Sequence, residues 1–253
     1  MIQDKEAFEK LIHEARERDF SGWDFTFLSG RLEENQTSWD YRKNVRDRMR
    51  GVKSMLDLDT GGGEFLETLQ PFPATVCATE GYPPNLPIAQ ARLEPLGVKV
   101  ANTHAAFNLP YEDGAFQLVI NRHGGILAAE IHRVIAPGGW FITQQVGDRN
   151  CSEVNEALQA RTDALSALWT ADLAAKQLEG AGFRIAVRKE EFPTAEFKDV
   201  GALVFYLKAI AWQVSDFTVE KYYDQLGEIH NTIKKTGSFR VKQHRFYIEA
   251  QKP

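Results

Sequence analysis

Two hydrophobic periods run along this chain. Over residues 4–18, Phe8, Leu11, Ile12 and Ala15 recur at three- and four-residue steps with charges between them, which predicts an amphipathic helix. An irregular aromatic stretch over 23–41 leads into a second helix over 42–51. From residue 53 to about 192 short apolar runs alternate with helical stretches, the pattern of a parallel sheet covered by helices on both faces. Residues 55–58 read as the first buried strand, 60–63 as a tight turn, Glu64 as the start of a helix, and 74–79 as the second strand. The Ala-, Leu- and Gln-rich stretch 152–180 reads as helix, stopped by Gly180-Ala181-Gly182-Phe183 before a strand over 184–188. Residues 199–236 read as a largely helical insertion. Residues 240–250 read as one terminal strand, in which His244, Phe246 and Ile248 form a core face and Arg245, Tyr247 and Glu249 a polar one. The chain is therefore expected to be one α/β domain: an N-terminal cap or lid (1–51), a core (52–198), a helical insertion (199–238) and a terminal strand (239–253).

Candidate chemistry concentrates in the first turn. Gly61, Gly62 and Gly63 between a strand and a helix let a ligand approach the backbone without meeting a Cβ. One helix and one strand later comes Glu80, followed by Gly81. An acid at the tip of the second strand is where nucleotide-binding sheets hold a ribose diol, since a carboxylate accepts two hydroxyl protons at once. Leu66 stands where a dinucleotide fingerprint needs its last glycine, and no phosphate-binding G-x-x-x-x-G-K-[ST] loop occurs.

The run Asp57-Leu58-Asp59-Thr60-Gly61-Gly62-Gly63 resembles the first motif of the class I S-adenosylmethionine-dependent methyltransferases. Two later stretches agree in order and spacing. Asn108-Leu109-Pro110-Tyr111-Glu112-Asp113-Gly114 and the apolar run to Ile120 are similar to that family's approach to its fourth strand. Glu130-Ile131-His132-Arg133-Val134-Ile135-Ala136-Pro137-Gly138-Gly139-Trp140 is similar to its helix, Pro-Gly-Gly turn and fifth strand. The resemblance is close over residues 53–146 and looser over 180–250. It implies a doubly wound, mostly parallel seven-stranded sheet (the Rossmann-like methyltransferase fold) and S-adenosylmethionine as cofactor. It also implies cofactor contacts at Asp57, Asp59, Thr60, Gly61, Gly63, Glu80, Gly81, Ala105, Ala106, Asn121 and Arg122. This chain departs from the family at two of these. Asp59 replaces the first motif glycine, and Ala105 stands where the family often carries an acid for the adenine amino group.

The segment Asn121-Arg122-His123-Gly124-Gly125 follows the predicted fourth strand, where the family's methyl donor and acceptor meet. His123 is the expected general base, because an imidazole titrates near neutrality; the other reading is a histidine that caps or packs the loop. Arg122 is expected to hold the cofactor carboxylate or an acidic substrate. No Asn/Asp-Pro-Pro-aromatic tetrapeptide follows this strand, which argues against methylation of base or glutamine amines. Among the N-terminal aromatics Trp23, Phe25, Phe27, Trp39 and Tyr41, Tyr41 is the foremost lid candidate, with Trp39 beside it; Trp212, His244 and Arg245 are the other expected substrate contacts. His13 and His230 are read as surface histidines and His132 as structural.

Composition and charge narrow the partners. A chain of 253 residues, 43% hydrophobic, buries one sizeable core, and its net charge of −5 offers no global pull on nucleic acid. The basic run Arg42-Lys43-Asn44-Val45-Arg46-Asp47-Arg48-Met49-Arg50 is the local exception. The two cysteines, Cys77 and Cys151, lack metal-ligand spacing, and neither a metal nor a disulfide is expected. The start lacks a signal-peptide pattern and no apolar run is long enough for a membrane span, so a cytoplasmic protein without membrane or nucleic-acid partners is expected. The reading is a methyltransferase acting on oxygen or nitrogen of a small molecule. The alternatives are an RNA methyltransferase using residues 42–50 and a non-catalytic S-adenosylmethionine-binding protein.

Overall fold

Each short apolar run of the chain's middle becomes a strand because both of its faces find a hydrophobic partner. The computed structural model describes residues 1–20, 24–103, 108–160 and 169–253, so Trp23, Ala105 and Ala106 lie outside the described residues. The strands are β1 (Leu32–Glu34), β2 (Ser54–Leu58), β3 (Thr75–Glu80), β4 (Lys99–Asn102), β5 (Phe116–Arg122), β6 (Ile135–Val146), β7 (Arg184–Glu191), β8 (Thr194–Phe197), β9 (Phe239–Lys242) and β10 (Arg245–Gln251). The helices are α1 (Lys5–Glu17), α2 (Tyr41–Met49), α3 (Glu64–Glu67), α4 (Leu86–Leu93), α5 (Ala128–Val134), α6 (Ser152–Leu158), α7 (Ala171–Gly180), α8 (Val200–Ala209) and α9 (Tyr223–Thr236).

Seven strands form one sheet in the order β4-β3-β2-β5-β6-β10-β7. The pairs β2–β3, β3–β4, β2–β5 and β5–β6 are parallel, whereas β10 runs antiparallel to β6 and β7. Neighbouring residues of β2 divide between two cores. Leu56 joins Val119, Phe141, Phe246 and Ile248 under α5 and α7, whereas Met55 joins Leu118, Ile120, Ile142 and Tyr247 under α2 and α4. This is the doubly wound sheet the resemblance implies. Its strand order reverses between β2 and β5, and in such sheets ligands bind beyond the carboxyl ends of the strands at that reversal.

The chain divides into two compact units. One holds the seven-stranded sheet and comprises Thr37–Gly147, Trp169–Glu191 and Arg245–Pro253; the other comprises Met1–Gln36, Asp148–Leu168 and Phe192–His244. The second unit has a three-stranded antiparallel sheet, β1-β8-β9, with α1, α6, α8 and α9. Its core gathers Phe8, Ile12, Phe197, Leu203, Phe205 and Leu226. No helix among the described residues is long and apolar enough to cross a membrane.

Several local expectations change. The single strand over 240–250 is two: β9 pairs in the small sheet, β10 in the large one, and His244, fully buried, lies between them. The polar face expected for β10 is also absent. Tyr247 packs against Trp39 and Tyr41 in the core under α2, and Glu249 accepts from the Tyr247 hydroxyl and Arg48, so both are buried like Phe246 and Ile248. Among the described residues of the stretch 152–180, α6 stops at Leu158, where Gln159 takes φ 54, and α7 begins after Thr170, whose side chain caps the Leu173 N–H. The irregular aromatic stretch contains β1, formed by pairing with β8 although only Leu32 of its three residues is apolar. His230 is buried, edge-on to Phe8, not a surface histidine.

Candidate cofactor site at the glycine turn

Beyond β2 the backbone turns through three left-handed residues: Asp59 (φ 55), Gly61 (φ 65) and Gly63 (φ 84). Glycine takes this region freely, and aspartate is among the few other residues that visit it readily. The turn is tied to the end of β3, since Asp59 N–H donates to Thr79 Oγ1 (3.2 Å) and Thr60 N–H to the Thr79 carbonyl (2.9 Å). The helix it leads into, α3, starts at Glu64 as expected and is a single four-residue turn, so the site rests on side chains and the open turn.

Three carboxyl groups face this turn. Asp57, buried, accepts a hydrogen bond from Thr60 Oγ1 (2.7 Å). Burial pushes its carboxyl up to about 7 against the pull of the Thr60 bond, and the Asp59 and Glu80 charges add to the rise. Glu80, also buried, accepts from Tyr82 N–H at 2.6 Å and bonds the Gly61 and Gly81 N–H groups; burial raises its pKa too. Asp59 turns towards the loop after β5, where its Oδ2 accepts the Gly125 N–H (3.0 Å). A Cβ on Gly124 would lie 2.4 Å from that same oxygen, so only glycine lets the two loops meet here.

The end of β5 supplies the opposite wall. Asn121 is fully buried, and its side chain is spent on structure: Nδ2 donates to the Leu58 carbonyl (3.2 Å), and Oδ1 accepts from Thr143 Oγ1 (3.2 Å) and Gln145 Nε2 (2.6 Å). Arg122 lies over the Phe65 ring (4.9 Å), and no carboxylate among the described residues is within ion-pair distance of it. His123, at φ 65, donates its backbone N–H to Gln144 (2.8 Å). Solvent reaches its ring, yet enclosure by protein, followed by the Arg122 and Arg245 charges, holds its pKa well below the usual histidine value.

A family model for a methyltransferase domain matches residues 56–143, a span that holds this turn, Glu80 and the loop after β5. That match agrees with the resemblance of residues 53–146 to the class I S-adenosylmethionine-dependent methyltransferases. A methyltransferase domain over these residues agrees with S-adenosylmethionine as the cofactor that the first motif implies. Among solved structures, a proposed methyltransferase of Bacillus halodurans is similar to this methyltransferase at 21% identity and a TM-score of 0.62, covering 85% of this chain and 99% of that one. A SAM-dependent methyltransferase of Aquifex aeolicus aligns at 15% identity and a TM-score of 0.51, covering 99% and 100%. The (4+2)-cyclase SpnF aligns at 17% identity and a TM-score of 0.55, covering 97% and 92%. These likenesses show the fold. No curated protein matches the sequence.

The donor set suits the cofactor. Glu80 offers carboxylate oxygens to a diol, the positive-φ turn offers open backbone, and Arg122 offers an unpaired cation to a carboxylate. The expected lid residues lie elsewhere than on a free flap. Trp39 and Tyr41 are packed in the core of the sheet unit, the Tyr41 hydroxyl donating to the Asn121 carbonyl (3.0 Å). Trp212 belongs to the smaller unit and is 66% exposed. His244 belongs there too, its Nδ1 accepting the Arg149 N–H (3.1 Å) and lying 3.2 Å from Asp148 Oδ1, with Phe192 stacked on the ring. Arg245 opens β10 in the sheet unit. Sequence reasoning missed Gln144, which sits level with Arg122 in the β5–β6 register, and Tyr82, whose N–H orients Glu80 and whose ring is 62% exposed. An aromatic residue directly after Glu80-Gly81 was the available signal for the second.

Proposed function

We propose that this methyltransferase acts on oxygen or nitrogen of a small molecule. The observation that carries this is the charge pairing on α2 and the turn after it, the segment an RNA substrate would have to engage. Lys43 is bonded to Asp47 (2.6 Å), and Arg46 donates to the Thr68 and Gln70 carbonyls. Arg48 pairs with Glu249 (2.7 Å) while lying over Trp140 (3.5 Å), and Arg50 lies 3.4 Å from Asp47. Apart from Arg42, the cations of this run are thus already matched to acceptors, and matched groups release few counterions on meeting phosphate, the release that drives backbone binding.

Bound S-adenosylmethionine supplies a methyl group on a positively charged sulfur. In this reading Glu80 holds its ribose hydroxyls, Gly61, Gly63 and Gly81 admit it to the backbone, and Arg122 meets its carboxylate. Asp59, with one oxygen held by Gly125, keeps its other for the ammonium group. Asp57 and Thr60 brace the turn, and Asn121 fixes the end of β5 from behind. His123 stands at the acceptor rim. The protein's contribution to rate is alignment of nucleophile and methyl group, which removes several kcal/mol of barrier. The test is incubation with methyl-labelled cofactor and, separately, a small-metabolite extract and total RNA. Label in the metabolite fraction is expected. Label in RNA would replace this reading with RNA methylation, and cofactor binding without label in either would favour a non-catalytic protein.

A further inference from the structure

A hydrogen-bond chain whose direction is set at its far end reaches His123. Trp39 is buried and its indole is stacked on Tyr247 (5.8 Å between centroids), whose hydroxyl is in turn bonded to Glu249 (2.6 Å). The indole N–H can only donate, and it donates to Gln144 Oε1 (2.8 Å). With its oxygen so engaged, the Gln144 amide must turn its NH₂ group the other way, and that group lies 3.2 Å from His123 Nε2. An amide NH₂ accepts nothing, so Nε2 must be the acceptor. A neutral imidazole with a lone pair on Nε2 carries its proton on Nδ1.

We propose that Trp39 and Gln144 are positioning residues that hold His123 as the neutral Nδ1–H tautomer, so that it offers the methyl acceptor a hydrogen-bond donor instead of a base. The proposal rests on the reading of His123 as part of the acceptor rim. It also narrows the substrate class. The lone pair a base would need is occupied by Gln144, so the nucleophile reaches the site already able to react, as a neutral amine or an oxyanion. The Nδ1–H then bonds an oxygen or nitrogen lone pair on the substrate. No proton moves to His123 during transfer; a methylated amine loses its extra proton to water afterwards. The Arg122 and Arg245 charges near the ring act in the same direction, since a third cation there is disfavoured.

The experiment is two-bond proton–nitrogen correlation spectroscopy of protein carrying ¹⁵N-histidine, with the His123 signals assigned by their loss in His123→Ala. Wild-type protein should show a protonated Nδ1 and a bare Nε2. In Gln144→Glu the carboxylate accepts from Nε2, and the pattern should reverse or give the doubly protonated ring. Trp39→Phe frees the amide and should give a mixture of tautomers. An Nε2-protonated ring in the wild type, or a pattern unmoved by Gln144→Glu, would overturn the proposal. The wild-type spectrum decides even if a variant fails to fold. If the tautomer is as stated but His123→Ala leaves turnover of an identified acceptor unchanged, the placement of His123 at the rim fails while the lock stands.

Discussion

Polar groups taken out of solvent are handled differently in the two compact units. In the sheet unit they gather at the carboxyl ends of the strands: Asp57, Thr79, Glu80, Asn121, Thr143 and Gln145 all lie at or beside the strand reversal. The carboxyl groups among them have raised pKa values, with Asp57 accepting from the Thr60 hydroxyl and Glu80 from the Tyr82, Gly61 and Gly81 N–H groups. In the smaller unit several partly buried polar groups close local structure, although His230 Nε2 there is buried without a hydrogen-bond partner among the described residues. Asp199 caps α8 through the Ala202 N–H and pairs with Arg31, while Asn155 and Gln213 bond each other and nearby carbonyls. Buried carboxyl groups with raised pKa values beside one open turn mark a ligand site. Groups that cap a helix, as Asp199 does, or bond one another, as Asn155 and Gln213 do, serve the stability of the smaller unit.

Perturbing each unit at its own strong point should separate the two designs. Phe205 is 1% exposed and packs against Phe20 and Phe27, so Phe205→Ala removes a buried ring and should cost about 4 kcal/mol. Chemical denaturation would measure this, and a loss below about 1 kcal/mol would mean that the ring is not central to that core.

The counterpart in the sheet unit is a charge. Asp57 has a folded pKa near 7, above its ordinary 3.8. Its contribution to stability is therefore complete below the unfolded value and is lost as pH rises through the folded one. Wild type should lose about 3 kcal/mol relative to Asp57→Asn between about pH 5 and about pH 8, because the buried carboxyl must ionise. Urea titrations of both proteins across that range give the difference directly. Parallel profiles would show that Asp57 is ionised at no cost.

The parts of the fold that were legible are those written in contiguous residues. The strands over 55–58 and 74–79 are apolar runs, and the Gly61-Gly62-Gly63 turn with Glu80 after it depends only on spacing along the chain. What escaped depends on partners distant in sequence. The β9–β10 break has a trace in the sequence, since the apolar positions shift from Phe239 and Val241 to Phe246, Ile248 and Ala250 across the polar run Lys242-Gln243-His244-Arg245, but only the pairing shows that the two halves enter different sheets. Tyr247 and Glu249 look like a solvent face until Trp39, Tyr41 and Arg48, about two hundred residues earlier, are found to cover it. Gln144 gains its importance only through the register that sets it beside Arg122 and through Trp39, more than a hundred residues earlier. The direction of the Asp59 side chain likewise follows from the Gly124-Gly125 loop that meets it.

Two glycines with almost the same backbone sharpen the comparison further. Gly63 (φ 84) precedes α3 in the sheet unit, and Gly237 (φ 87) ends α9 in the smaller one. A Cβ at Gly237 meets nothing within 4 Å, whereas at Gly63 it lies 2.8 Å from the buried Leu93 side chain. Gly237→Ala should therefore cost about 1 kcal/mol from backbone strain alone, and Gly63→Ala about 2 kcal/mol because Leu93 must also yield. Only Gly63→Ala should also weaken S-adenosylmethionine binding in calorimetric titration. Equal costs with unchanged binding would mean that the turn is simply a connection.

The smallest effect is expected where the chain looks most charged. Lys43 and Arg50 share Asp47, with side chains 69% and 82% exposed, and exposed pairs contribute little because solvent and salt screen them. Lys43→Gln and Arg50→Gln should each change stability by no more than about 0.5 kcal/mol. They should also leave cofactor affinity and acceptor turnover unaltered at low and moderate salt. That indifference carries information, because a run recruited to a polyanion would behave otherwise: each lost cation would lower binding and flatten its salt dependence by about one counterion. A salt-dependent loss of turnover in either variant would move the working surface of the enzyme from the carboxyl ends of the strands to α2.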